Sequence, residues 1–204
     1  YNGIAPNTYS FYPQPEQPSY LAFLGRMSPE KGAHLAIEIA KRSGWPLKMA
    51  GKVDAIDLEY FETKILPHIG NSQIEFLGEA NHHQKSVLMG GAVATLFPIT
   101  WQEPFGLVMI ESMVTGTPVI AMSLGSAPEI IAHGVSGFLC QTVTECVDAI
   151  ALAAKLSRRA CRDHVLMNFT AKRMADGYEA IYQKILGEKY SRNGQKRDLV
   201  MQTL

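Results

Sequence analysis

The sequence predicts an α/β fold built on a parallel sheet of about six strands. Short apolar runs alternate with segments whose apolar residues recur at helical spacing. Gly and Pro punctuate the joins. The strand candidates are continuous apolar runs, the pattern of strands covered on both faces.

The first strand is 20–24. Ser28 is placed to cap a helix and Pro29 to open it, and Leu35, Ile37, Ile39 and Ala40 carry it to about Ser43. Gly44 and Pro46 stop it. Residues 47–50 form the second strand. Leu58, Phe61, Ile65 and Leu66 mark a helix closed by Pro67. Residues 74–77 make a strand, 82–90 a short helix and 92–97 another strand. A helix over 106–115 ends at Gly116 and Pro118, and strands follow at 119–122 and 138–140. Ser126-x-x-Glu129 has the spacing of a capping box. From Val143 to about Leu186 the chain reads as helical, in two or three segments. Residues 1–19, with Pro6, Pro13, Pro15 and Pro18, read as an extended linker. The domain proper is 20–186, and 187–204 is expected to be a polar, frayed tail.

With 204 residues, 47% hydrophobic and 19% charged, the composition is that of one globular domain. A formal net charge of +0 argues against a broad nucleic-acid-binding face, because neutralising phosphates needs a basic surplus. No apolar run approaches the ~18 residues of a membrane span, and no signal-peptide pattern opens the chain. Cys140, Cys146 and Cys161 are odd in number and spread out, which suits reduced thiols and a cytoplasmic protein. The first residue is Tyr1, as expected of a processed or excised chain.

Open parallel sheets bind ligands beyond the carboxyl ends of their strands, so the loops there carry the functional candidates. In Gly25-Arg26-Met27-Ser28-Pro29-Glu30-Lys31-Gly32 a glycine, a guanidinium and an ammonium meet a helix start, a combination suited to phosphate. The plainer alternative is an Arg26–Glu30 surface pair with Lys31 in solvent. In Glu103-Pro104-Phe105-Gly106-Leu107-Val108-Met109-Ile110-Glu111, Glu111 is a carboxylate on a nearly all-apolar helix and needs donors. A ribose diol could supply them; so could a neighbouring Arg or Lys. Glu103, just outside the helix, could accept sugar hydroxyls, and the backbone of Phe105, Gly106 and Leu107 could donate to sugar or phosphate oxygens. Gly125 and Ser126 could bring backbone close to a ligand. His82 and His83 are adjacent but lack a third partner at ligand spacing, so no metal site is expected.

Several motifs appear in a fixed order: Gly25-Arg26-x-x-x-Glu30-Lys31-Gly32, Glu103-Pro-Phe-Gly-Leu-x-x-x-Glu111, Gly116-Thr-Pro-Val-Ile-Ala121, Pro128-Glu-Ile130 and Gly134-x-x-Gly137-Phe138. Together they resemble the C-terminal, donor-binding half of a family 4 (group 1) retaining glycosyltransferase of the GT-B fold. Asn2-Gly3 resembles the entry from the interdomain linker, and 169–182 the closing helices. The resemblance implies a Rossmann-like three-layer domain with a helical C-terminal segment, one half of the GT-B pair. It implies that Arg26 and Lys31 hold the donor diphosphate and Glu103 the transferred sugar. Glu111 would hold the ribose, and Gly25, Gly51, Leu77 and Gly78 would lie around the nucleotide, the base near the last three. It implies no cofactor and no bound metal, with a UDP-sugar as the first expectation for substrate. One departure is Gly125-Ser126 where many members have Gly-Gly, which leaves that loop's ligand contacts open.

The expected function is donor binding in a sugar transfer to a hydroxyl acceptor, with an N-terminal acceptor-binding domain as the missing partner. The isolated chain is then expected to be inactive and to dimerise weakly through its exposed C-terminal helix. The location is expected to be cytoplasmic, with membrane-peripheral placement open for the parent. Two rivals stand beside this reading: a non-catalytic nucleotide-binding module, and half of a nucleotide-sugar epimerase.

Overall fold

The computed structural model describes residues 1–70 and 73–201, and side chains to residue 187. The strands are β1 Leu21–Leu24, β2 Leu47–Ala50, β3 Ile74–Phe76, β4 Ala94–Phe97, β5 Val119–Met122 and β6 Gly137–Cys140. They form one six-stranded sheet in the order β3-β2-β1-β4-β5-β6, with every neighbouring pair parallel. The helices are α1 Ala33–Ser43, α2 Leu58–Tyr60, α3 His82–Gly91, α4 Leu107–Thr115, α5 Ala127–Ile130, α6 Val143–Ala153, α7 Arg158–Asn168 and α8 Ala171–Met201.

Alternate strand residues feed opposite faces, as the two-residue period requires. Leu21 and Phe23 join Ile37, Ile39, Leu47, Met49 and Ile150 in a core against α1 and α6. Ala22 and Leu24 turn the other way, toward Leu88 and Met89 of α3. Further along that face, Val119 and Ala121 pack with Met109, Ile110 and Met113 of α4 and with Cys161 and Val165 of α7. The sheet is thus sandwiched by helices, the Rossmann-like three-layer arrangement expected.

Several local expectations are corrected. The helix after β1 does not run unbroken from Pro29: a 3-10 turn Pro29–Lys31 ends at Gly32, and α1 starts afresh at Ala33. Ser28 makes no side-chain cap on it. Gly32 has φ +72°, and a Cβ there would lie 1.9 Å from the carbonyl oxygen of Pro98. The helix expected across 58–66 is a chain of short pieces, the three-residue α2 followed by a π turn and a 3-10 turn containing Pro67. Pro67 has no N–H to donate back into the preceding turn, and its ring crowds the carbonyl there. Ser126-x-x-Glu129 is not a capping box: the Ser126 hydroxyl donates to Phe105 O at 2.7 Å instead. A capping box does occur at α3, where Asn81 and Gln84 cap each other's backbone N–H.

Residues 1–19 are mostly extended and lie against the domain. Ile4 N–H donates to Phe169 O at 3.0 Å, Tyr12 N–H to Thr115 O at 2.9 Å and Glu16 N–H to Gly91 O at 2.9 Å. From α7, Arg158 donates to Tyr12 O at 2.7 Å and Arg162 to Val114 O. The three cysteines are buried and free. The frayed tail expected from 187 is corrected: the backbone continues α8 to Met201, and past 187 the side chains lie outside the described residues. Among the described residues no helix is long and apolar enough to cross a membrane.

Candidate functional site

Strand order reverses between β1 and β4, so the loops leaving these two strands diverge and open a crevice at the carboxyl edge. Both loops are pinned to each other. Thr100 N–H donates to Glu30 O at 3.0 Å, and its hydroxyl to Pro29 O at 3.2 Å. This contact brings two expected site residues together: Lys31 Nζ donates to Glu103 Oε2. The indole N–H of Trp101 reaches the same oxygen at 2.9 Å, and the ammonium stands 4.8 Å from the centre of the Trp101 ring. Lys31 is therefore not in solvent.

Glu103 is held from behind by the loop after β5. Ser126 N–H donates to Glu103 O at 2.9 Å, and Gly125 N–H to the Gln102 side chain at 2.9 Å. Gly125 has φ +55°, and a Cβ there would fall 2.4 Å from Glu103 N and 2.5 Å from Glu103 O. The loop is thus a backbone support for Glu103.

Helix α4 begins at Gly106, whose φ of +74° aims the chain into the helix without any side-chain cap. Met109 N–H turns back to Gly106 O at 3.0 Å, and the N–H groups before it meet no side-chain cap, at the positive end of the helix dipole. The Phe105 ring is buried near Tyr1 and Phe169, so this residue offers only its backbone to a ligand. One turn further in, Glu111 is buried beside Met109, Ile110 and Met113. Its Oε1 accepts from the Tyr9 hydroxyl at 2.8 Å and faces Lys85 Nζ at 3.6 Å. Burial first, and then the hydrogen bond to Glu111, push the Tyr9 phenol well above its ordinary value, so it stays a donor.

Arg26 stands at the rim. Its guanidinium is 2.8 Å from Glu30 and 3.7 Å from Asp54, and Lys52 meets Asp54 at 2.6 Å. The surface pair considered from the sequence is therefore formed. Burial pushes the Glu30 carboxyl up, but its own backbone hydrogen bond and the Arg26 and Lys31 charges outweigh this and hold it low. The Lys52 hydrogen bond holds Asp54 low.

Gly25, Arg26, Gly51, Lys52, Lys85 and Val108 line a cleft of about 240 Å³. Gly51 permits it: with φ +155°, a Cβ there would lie 1.7 Å from Gly25 O, so the ends of β1 and β2 meet backbone to backbone. Gly51 N–H donates to Gly78 O at 2.9 Å, which ties in the end of β3. Leu77 lines an adjoining cavity of about 400 Å³ with Glu79, Ala80 and His83. Along one edge lie cations, an uncapped helix start and two buried carboxylates. That combination suits a ligand that is anionic at one part and rich in hydroxyls elsewhere. Among the described residues no group of three or more His, Cys, Asp and Glu could hold a metal ion.

Sequence reasoning missed Tyr9, Lys85 and Trp101. Tyr9 sits in a proline-rich segment and Lys85 on another helix, and no spacing links either to Glu111. Trp101, two residues before Glu103, could have been found as a polar-tipped aromatic next to an acid.

Residues 9–163 match the family described as glycosyl transferases group 1. The glycogen synthase of Mycobacterium tuberculosis is 27% identical over 179 residues, covering 81% of this chain and 42% of its own length. The chain thus spans under half of that relative. Among solved structures, AviGT4, a glycosyltransferase involved in avilamycin A biosynthesis, superposes with a TM-score of 0.74 at 26% identity, over 91% of this chain and 57% of that one. HepE of Anabaena, solved in complex with UDP and glucose, superposes with a TM-score of 0.71 at 22% identity, over 88% of this chain and 56% of that one, a likeness of fold.

Proposed function

The chain belongs to the group 1 glycosyl transferases, and we propose that it is the donor-binding half of a retaining enzyme that moves a sugar from a nucleoside diphosphate to a hydroxyl acceptor. The observation that carries this reading is the crevice between β1 and β4, where Lys31 and Glu103 meet beside the uncapped start of α4. HepE, of the same fold, is solved with UDP and glucose, which supports UDP as the first nucleotide to test.

In this reading Arg26 and Lys31 stabilise the charge that grows on the leaving diphosphate, helped by the N–H groups of Phe105, Gly106 and Leu107. Such preorganised donors act where charge develops and need no reorganisation at the moment of reaction. Arg26 turns from Glu30 to phosphate, and Lys31 is shared between Glu103 and phosphate. Glu103 accepts hydroxyls of the transferred sugar, and Glu111 accepts the ribose diol. Gly51, Leu77 and Gly78 border the base. No metal takes part, because Arg26, Lys31 and the helix start supply the positive charge.

The acceptor wall belongs to a second domain N-terminal to this one. All the ligand-facing loops of this chain lie on one sheet edge, so the acceptor side of the donor stands open to water. Closure by a second domain would exclude that water and orient the attacking hydroxyl, which can supply about 7–11 kcal/mol.

A thermal-shift screen of UDP-, GDP- and ADP-sugars on this chain tests the reading. A bound donor at ~100 times its dissociation constant should add about 2.7 kcal/mol of stability. No stabilisation by any of them would overturn it. Sugar transfer by this chain alone, at the rate of a longer chain containing it, would overturn the division of labour between two domains.

A further inference from the structure

We propose that Tyr9 is a positioning residue for the ribose-binding carboxylate, so that the segment preceding the sheet is part of the nucleotide site. The proposal rests on the reading that Glu111 takes the ribose hydroxyls. Tyr9 and Glu111 are 102 positions apart in sequence, yet the phenol donates to Glu111 Oε1 at 2.8 Å between two buried residues.

A carboxylate one turn inside an apolar helix is costly unless donors meet it, and its two oxygens must be oriented before a diol can find them. Among the described residues, the Tyr9 hydroxyl and the Lys85 ammonium both meet Glu111 at Oε1. They hold one oxygen and leave Oε2 to lead in accepting an incoming diol. Lys85 also lines the 240 Å³ cleft, so Glu111 Oε1 lies 3.6 Å from a group on its wall.

Tyr9 is itself contacted on several sides. Its ring packs edge-on to His82, with centres 4.6 Å apart, and the His82 imidazole lies 2.9 Å from Thr8 O. Arg162, on α7, reaches Tyr9 O and Pro6 O, both at 3.4 Å. A tyrosine needed only to fill space would be served as well by phenylalanine. The buried hydroxyl aimed at a carboxylate is what asks for another role.

The test measures binding of UDP, GDP and ADP, each beside its 2′,3′-dideoxy analogue, to the unmodified chain and to Tyr9→Phe. That variant keeps the ring and its packing on His82. For the nucleotide bound most tightly, Tyr9→Phe should lower affinity about three- to tenfold, the range of one hydrogen bond, while affinity for the dideoxy analogue stays unchanged. Equal loss for both nucleotides would show a structural role and overturn the proposal. So would no loss for either. If Tyr9→Phe does not fold, His82→Ala replaces it. That change removes the ring holding Tyr9 and should lower the same ratio, and an unchanged ratio overturns the proposal. Glu111→Gln separates this inference from its premise. If it leaves ribose discrimination intact, or no nucleotide binds, the ribose reading of Glu111 fails and the proposal with it. If it abolishes discrimination and Tyr9→Phe does not reduce it, the proposal alone fails.

Discussion

Gly125→Ala tests how the backbone of one loop holds a candidate site residue. Gly125 has φ +55°, where a non-glycine residue is strained by about 1–2 kcal/mol. The new Cβ would also fall 2.4 Å from Glu103 N and 2.5 Å from Glu103 O, both backbone atoms that cannot rotate away. Reaching ordinary contact means widening the gap by about 1 Å, so the Gln102–Glu103 backbone must move. Overpacking of this kind costs about 1–3 kcal/mol. The two contributions together predict a loss of roughly 2–5 kcal/mol, about 2–4 °C of Tm for each kcal/mol in a domain of this size. Gly134→Ala is the control. Gly134 has φ +77° with nothing within 4 Å of its would-be Cβ, so it should show the strain alone. Urea unfolding of both variants measures the difference. If Gly125→Ala costs no more than Gly134→Ala, the close approach of the two loops is wrong. The functional consequence is separate: moving Glu103 should weaken binding of the donor sugar more than binding of the bare nucleotide, by calorimetry. A stability loss with the donor-to-nucleotide affinity ratio unchanged would remove Glu103 from the sugar site.

Arg26→Ala and Lys31→Ala should each weaken binding of UDP more than binding of uridine, since both groups flank helix starts and would meet phosphate. Equal losses for UDP and uridine would show that they act through folding or through the base. EDTA should leave the affinity for nucleoside diphosphate unchanged in calorimetry, and loss of binding would require a metal. Stability should fall on acidification through His34. Burial, with help from Lys64, holds its imidazole below the usual value, and its Nδ1 lies 2.7 Å from the Tyr60 hydroxyl. The unfolded chain therefore takes up the proton first. The stabilisation is full above the ordinary histidine value of about 6.5 and drains as pH falls from there through the lower folded value. Urea midpoints at about pH 7.5 and 5.5 should differ less in His34→Gln than in the unmodified chain; an equal difference would exclude His34 as the cause.

The fold was legible because its signals are local. Apolar runs such as 20–24 and 119–122 fall on the strands to within a residue, and Gly44 and Gly116 end the helices they are expected to end. Element interiors failed where a tertiary contact decided the outcome. The helix after β1 breaks at Gly32, whose φ of +72° leaves the helical region, at a place where Pro98, in a loop 66 positions away, leaves no room for a side chain. Ser126 abandons its cap because Phe105 O is a buried acceptor within reach. The candidate site was legible as residue types but not as pairs. Lys31 and Glu103 were expected to act on phosphate and sugar separately, and the structure bonds them to each other. Glu111 was recognised as needing donors, but its partners come from the segment before the sheet and from α3. Such pairings are set by which loops the sheet order brings to one edge, and that order is not written in any local pattern.

The most direct test of donor binding at this edge is a crystal structure of the chain with a nucleoside diphosphate. The account predicts the diphosphate against Arg26, Lys31 and the first turn of α4, with both ribose hydroxyls within hydrogen-bond distance of Glu111 and the Tyr9 contact retained. A nucleotide bound away from the carboxyl edge, or at that edge with its ribose turned away from Glu111, would contradict it.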